Sequence, residues 1–214
     1  MKRRRLQIVA IVFGILAGAT LAVPQEQLSG EALVEALRQG GYTIYFRHAA
    51  TDWRRDDHVA AAGDWTSCDP EKMRQLTEEG RGTARAIGNA IRKLGIPVGR
   101  VLSSEYCRTR ETARHLDLGP VEPVRAIMNM RAAAFVGGRE AVVDRARRVI
   151  AGPPPASPNT VIVAHGNLMR AVSGAYTGEA GAVVFKPRGE GRLHVVAEIA
   201  PGEWERLARR YAGP

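Results

Sequence analysis

The stretch "NTVIVAHGNLMRAV", Asn159 to Val172, constrains the fold more than any other part of the chain. Thr160 to Ala164 is a continuous apolar run too short for a buried helix, and it breaks into His165-Gly166-Asn167 before helical spacing resumes from about Leu168. A strand that is apolar throughout is buried on both faces, which calls for helices on both sides of a largely parallel sheet. "YTIYFRHAATDW" repeats the arrangement. Its β-branched and aromatic residues from Tyr42 to Phe46 predict a second such strand, which runs out at Arg47-His48.

Helical patterns alternate with these strands. "LSGEALVEALRQGG" sets Leu33, Val34 and Leu37 on one face, with Ser29 as N-cap and Gly40-Gly41 as a stop. "LTEEGRGTARAIGNAIRKLGIP" places Thr77 as N-cap, Glu78 and Glu79 in the first turn where the helix dipole favours acids, and Ala84, Ile87, Ile91 and Leu94 at helical spacing. A brief strand from Arg100 to Ser103 leads into a helix in "SEYCRTRETARHL", and Arg139 to Ile150 reads as another. "AVVFKP" and "RLHVVAEIAP" read as closing strands, antiparallel because the short "RGEG" turn joins them. The expected fold is α/β: a three-layer sandwich, one domain over residues 28–214, with a mostly parallel central sheet and helices on both faces.

Residues 1–22 have the form of a secretory signal, with Lys2, Arg3, Arg4 and Arg5, an apolar run from Leu6, and small residues ending at Ala22. Export to the periplasm or beyond is expected, the alternative being an uncleaved membrane anchor formed by residues 6–22. Four of the basic residues behind the formal charge of +9 sit in that segment, so much of the basicity is targeting charge. Arg108, Arg110 and Arg114 lie at near-helical spacing, but few aromatics are available to stack bases, and no nucleic acid partner is expected. Cys68 and Cys107 could bridge in an oxidising compartment or remain two unpaired thiols. Asp56 to His58, with Cys68 and Asp69, matches no zinc or calcium spacing and reads as a charged loop from Asp52 to Pro70.

The ligand cleft of an open α/β sheet lies outside the C-terminal ends of its strands. Three predicted strands end in unusual chemistry: Arg47-His48, Ser103-Ser104 running on to Arg108, and His165-Gly166-Asn167. Two imidazoles and two guanidiniums in one cleft suit a doubly charged tetrahedral oxyanion, because guanidinium forks match phosphate oxygens and stay charged. A histidine beside fixed positive charge resists protonation, so His48 would keep a free ring nitrogen able to attack phosphorus.

"YFRHAATDW", "QLTEEGRGTARAIG", "VLSSEYCRTRETA" and "VIVAHGNLMRAV", in this order, resemble the histidine phosphatase superfamily, the group that includes phosphoglycerate mutases and acid phosphatases. The resemblance implies a phosphoglycerate mutase-like fold and hydrolysis of phosphate monoesters through a phosphohistidine on His48. It implies a phosphate pocket of Arg47, Arg108 and His165, a hydroxyl contact from Thr51, and no metal or cofactor. The implied substrate is a phosphorylated small molecule or a phosphoprotein. The chain departs from the family pattern at Ala49, Ala50 and Arg54, and "IMNMRAAAF" lacks the glutamate that mutase-like members use as proton donor. Asp52 and Glu179 are the remaining candidate acids. Two alternatives stay open: a catalytically weak phosphate-binding module, and a phosphohistidine (phosphoprotein) phosphatase.

Overall fold

The computed structural model describes residues 27–152, 158–188 and 191–213. The expected signal or anchor lies outside the described residues, as do Gly189 and Glu190 of the "RGEG" turn. In chain order the elements are α1 (Gly30–Gln39), β1 (Thr43–Arg47), α2 (Glu78–Lys93), β2 (Val98–Ser103), α3 (Cys107–Leu116) and β3 (Val121–Pro123). Then come α4 (Arg139–Ile150), β4 (Asn159–Ala164), α5 (Gly166–Ser173), β5 (Ala182–Pro187), β6 (Leu193–Ile199) and α6 (Pro201–Tyr211). Short 3-10 turns occupy Asp64–Thr66, Arg125–Ile127 and Met130–Val136.

One sheet of order β3-β2-β4-β1-β5-β6 organises the molecule. β1 and β2 each run parallel to β4, and β3 runs parallel to β2. β5 is antiparallel to β1, and β6 to β5. The sheet is thus mostly parallel with an antiparallel end, as the short final connection requires.

Alternating side chains explain why β1 and β4 are apolar throughout. Ile44, Phe46, Val161 and Val163 point into a core closed by Leu33 of α1, Ile91 of α2, Leu116 of α3 and Trp204 of α6. Tyr45, Ile162 and Ala164 point the other way, against Ile150 of α4 and Leu168 of α5. Helices therefore cover both faces, each sealing a strand face that alone would leave apolar surface in water.

Local details refine the sequence reading. Thr77 caps α2 by accepting the Gly80 N–H at 3.0 Å, whereas Ser29 stands at the N-cap of α1 without a side-chain bond. α5 begins at Gly166, two residues before the apolar spacing resumes. β3 and α6 are absent from the expected elements. β3 is only three residues at the sheet edge, and α6 packs Trp204 on Phe46 with ring centroids 5.9 Å apart. Among the described residues no helix is long and apolar enough to cross a membrane.

Candidate active site

Parallel pairing brings the C-terminal ends of β1, β2 and β4 to one edge of the sheet. The His48 N–H donates to the Ala164 carbonyl at 3.0 Å, and the Ser104 N–H donates to the Val163 carbonyl at the same distance. Past its strand, the His48 turn is held from α3: the Ala49 N–H donates to Thr112 Oγ1 at 3.0 Å, and that hydroxyl donates to the Arg108 carbonyl at 2.7 Å. The threonine of "RTRETA" nearest its end is thus a bracket between the helix and the histidine turn.

The His48 ring is set by its own neighbour. Nδ1 lies 2.9 Å from the Ala49 carbonyl, an acceptor, so Nδ1 carries the proton and Nε2 keeps its lone pair. Burial holds the ring well below the ordinary histidine pKa, and the charge of Arg108, then of Arg47 and Arg74, pushes the same way, against the carbonyl contact. The imidazole is neutral at physiological pH.

His165 faces His48 with ring centroids 5.8 Å apart and planes at 67°. Its tautomer is set by Asn129. The Oδ1 of that residue accepts from the Arg131 N–H at 2.9 Å and from Asn167 at 2.7 Å, so its Nδ2 must be the end turned to His165 Nδ1, 3.1 Å away. Nδ1 therefore accepts, and Nε2–H donates to Ser104 Oγ at 2.9 Å. Tyr45 fixes the backbone beneath: its hydroxyl accepts the His165 N–H at 3.1 Å and donates to the His165 carbonyl at 3.0 Å. Burial, then the charge of Arg108, keeps this imidazole below its ordinary pKa as well.

The two guanidiniums expected in the site are used differently. Arg47 donates to the Tyr176 hydroxyl at 2.8 Å and lines a pocket of about 430 Å³ together with His48 and His165. Arg108 is buried behind Asp57, clasped by both oxygens of that carboxylate at 2.9 Å, and it is Asp57 that reaches the pocket. Arg74 lines the pocket in addition. It is buried, its guanidinium stacks 3.8 Å over the Trp53 ring, and its Nε has no partner.

Thr51 and the candidate acids also take definite places. The Thr51 hydroxyl donates to Glu179 at 2.8 Å, and the other carboxylate oxygen accepts from Trp53 Nε1 at 3.3 Å. This carboxylate lies 3.9 Å from His48 Nδ1 and from Arg47, on the side of the ring away from Nε2. Asp52 is held by the Arg54 fork and N–H, which bring its carboxyl down to about 2. Asp52 is not among the residues that line the pocket. Cys68 and Cys107 are joined by a disulfide, Cα atoms 5.3 Å apart, which ties the Asp57 loop to the first residue of α3, next to Arg108. Among the described residues no three His, Cys, Asp or Glu side chains are grouped as metal ligands.

Three residues that line the pocket escape the sequence reading: Arg74, Asp57 and Asn129. In sequence Asp57 reads as part of a solvated charged loop, and the structure corrects this, since only 6% of its side chain is exposed. A clue to Arg74 is present, as it falls in a tight segment between the buried Met73 and Leu76.

Paired imidazoles and guanidiniums thus meet at the strand ends of a mostly parallel α/β sheet, a donor set whose chemistry suits a tetrahedral oxyanion. The model of the histidine phosphatase superfamily (branch 1) matches residues 44–138, a span that contains Arg47, His48, Arg74 and Arg108. The chain thus carries the sequence pattern and the fold of the histidine phosphatase superfamily, with His165 supplied by the end of β4 beyond the matched span. The protein histidine phosphatase SixA, complexed with tungstate, is similar in structure with a TM-score of 0.51 at 14% identity, over 75% of this chain and 97% of SixA. TTHB049 from Thermus thermophilus gives 0.50 at 20% identity, over 74% of this chain and 99% of that protein. Mycobacterial hydrolase 1 gives 0.51 at 18% identity, over 73% and 98%. At such identities the likeness is one of fold. No curated protein matches the sequence.

Proposed function

We propose that the protein hydrolyses phosphate monoesters in two steps through a phosphohistidine on His48. The observation that carries this reading is the 2.9 Å contact of His48 Nδ1 with the Ala49 carbonyl, which leaves Nε2 unprotonated in a pocket lined by guanidiniums. In the first step the Nε2 lone pair forms the N–P bond, the ester P–O bond breaks, and the leaving alkoxide takes a proton from solvent water. In the second, water adds to phosphorus and gives up a proton to solvent, the N–P bond breaks, and orthophosphate departs with His48 returned to its neutral form. Arg47 and Arg74 neutralise the phosphoryl oxygens, the main work of phosphoryl transfer. Glu179, 3.9 Å from Nδ1, offsets the positive charge that the phosphorylated imidazole acquires.

A second reading has its own support. The carboxylates around the site are all engaged: Asp52 with Arg54, Asp57 with Arg108, and Glu179 with Thr51 and Trp53. A substrate whose leaving group needs little proton assistance, such as the phosphohistidine of a protein, fits that arrangement. Turnover of p-nitrophenyl phosphate, an alkyl phosphate and a phosphohistidine peptide, each against a His48→Ala blank, separates the readings. Phosphate binding without turnover of any of them would instead mark a binding module. Export belongs to the same proposal, supported by the Cys68–Cys107 disulfide and the basic-apolar opening of the sequence.

A further inference from the structure

Three arginines outside the catalytic cluster line the same pocket: Arg131, Arg139 and Arg170. They come from separate elements, the 3-10 turn Met130–Val136, the first residue of α4, and α5. All three are exposed, and among the described residues none has a carboxylate partner. Arg170 rests 4.3 Å over the Tyr176 ring, whose hydroxyl is bonded to Arg47. Several surface arginines elsewhere are met by acids, Arg55 by Glu71, Arg85 by Glu78, Arg100 by Glu122 and Arg125 by Glu105, but what sets these three apart is that they converge on one pocket.

Charge around the pocket is therefore unbalanced. Five guanidiniums line it, those of Arg47, Arg74, Arg131, Arg139 and Arg170, against one lining carboxylate, Asp57, which is already paired with the buried Arg108, while Glu179 stands beside Arg47. Burial lowers the pKa of Arg74, and the charges of Arg108 and, more weakly, Arg131 push the same way against Asp57 and Glu179. One phosphate monoester brings roughly two negative charges at most. That meets the arginines beside His48 and leaves the outer three unanswered.

We infer that Arg131, Arg139 and Arg170 form a second anion subsite, so that the substrate of the His48 centre carries a further phosphate or carboxylate group away from the scissile phosphate. The substrate part of this inference rests on the phosphatase reading, whereas the subsite does not. A pocket of about 430 Å³ accommodates a small scaffold that carries two anionic groups.

The test uses phenyl phosphates that differ only at the para position: phosphonate, carboxylate or neutral carboxamide. The expected kcat/KM for an anionic member is about tenfold above the carboxamide at low salt, shrinking as salt is added. The larger of the two anionic preferences identifies the group the subsite takes. In Arg131→Ala/Arg139→Ala, and separately in Arg170→Gln, the ratio of anionic to neutral kcat/KM falls toward unity. Equal kcat/KM across the series, or a ratio that both variants leave unchanged, overturns the inference. Should no ester turn over at all, the phosphatase reading fails alone. Calorimetry then decides the subsite, with pyrophosphate expected to bind about tenfold tighter than orthophosphate, an advantage lost in the double variant; equal affinities overturn it.

Discussion

Arg108 and Asp57 form a buried bidentate ion pair, each guanidinium nitrogen 2.9 Å from its own carboxylate oxygen, with 1% and 6% of the side chains exposed. A carboxylate here occupies the donor fork that would otherwise face an oxyanion. Removing one member of such a pair strands a charge in low dielectric, at a cost of about 3–5 kcal/mol. Asp57→Ala is expected to lower stability by that order, and added orthophosphate should raise the Tm of the variant more than that of the parent, because phosphate can take the vacated place. A thermal-unfolding series in phosphate checks this; identical phosphate responses would count against it.

Asn129 holds His165 in one tautomer, since its Oδ1 is committed to the Arg131 N–H and only Nδ2 can meet Nδ1. Asn129→Ala should release the ring, so that the Nδ1–H form appears in nitrogen NMR of His165 and kcat drops by about tenfold. An unchanged tautomer would contradict the assignment.

Gly166 follows His165 because a Cβ there would lie 2.9 Å from Tyr176 Cε2 and 3.0 Å from Arg47 Cδ. Gly166→Ala therefore displaces Arg47 from its bond to Tyr176. The expected outcome is a loss of about tenfold or more in kcat/KM with a small change in Tm, measured side by side.

Acid should destabilise the fold through its two buried imidazoles. His48 and His165 have folded pKa values below that of an unfolded histidine. As pH falls below about 6.5 the unfolded chain takes up protons that the folded chain refuses, costing about 1.4 kcal/mol per pH unit for each histidine. Above that pH both states are neutral there, and the contribution does not vary. His165→Gln should make the acid limb of a stability–pH curve shallower by about one proton.

Reduction of Cys68–Cys107, which are 39 residues apart in sequence, frees the loop that carries Asp57. Cys68→Ser is expected to cost about 2–4 kcal/mol in chemical denaturation, and it should increase proteolytic cleavage between residues 52 and 70.

The centre of the sheet is legible in sequence because β1 and β4 are buried on both faces and must be apolar throughout, and α4 is legible at its observed bounds because Val142, Ala146 and Ile150 repeat at helical spacing. The histidines stand out because each lies where such a strand ends. The rest depends on distant pairings that leave no local pattern. Asp57 meets Arg108 across 51 residues and Asn129 meets His165 across 36, so each reads locally as an ordinary loop polar residue. α6 is legible in principle, with Pro201 at its start and Trp204, Leu207 and Ala208 on one face.

In the proposed mechanism Nε2 of His48 is the atom that bonds to phosphorus. Rapid acid-free quenching of the protein during turnover of a labelled phosphate ester, followed by mass spectrometry, tests this directly. A base-stable, acid-labile phosphoryl group on His48 that forms at the turnover rate and is absent from His48→Ala is the predicted result. Label on another residue, or turnover that persists in His48→Ala, would contradict it.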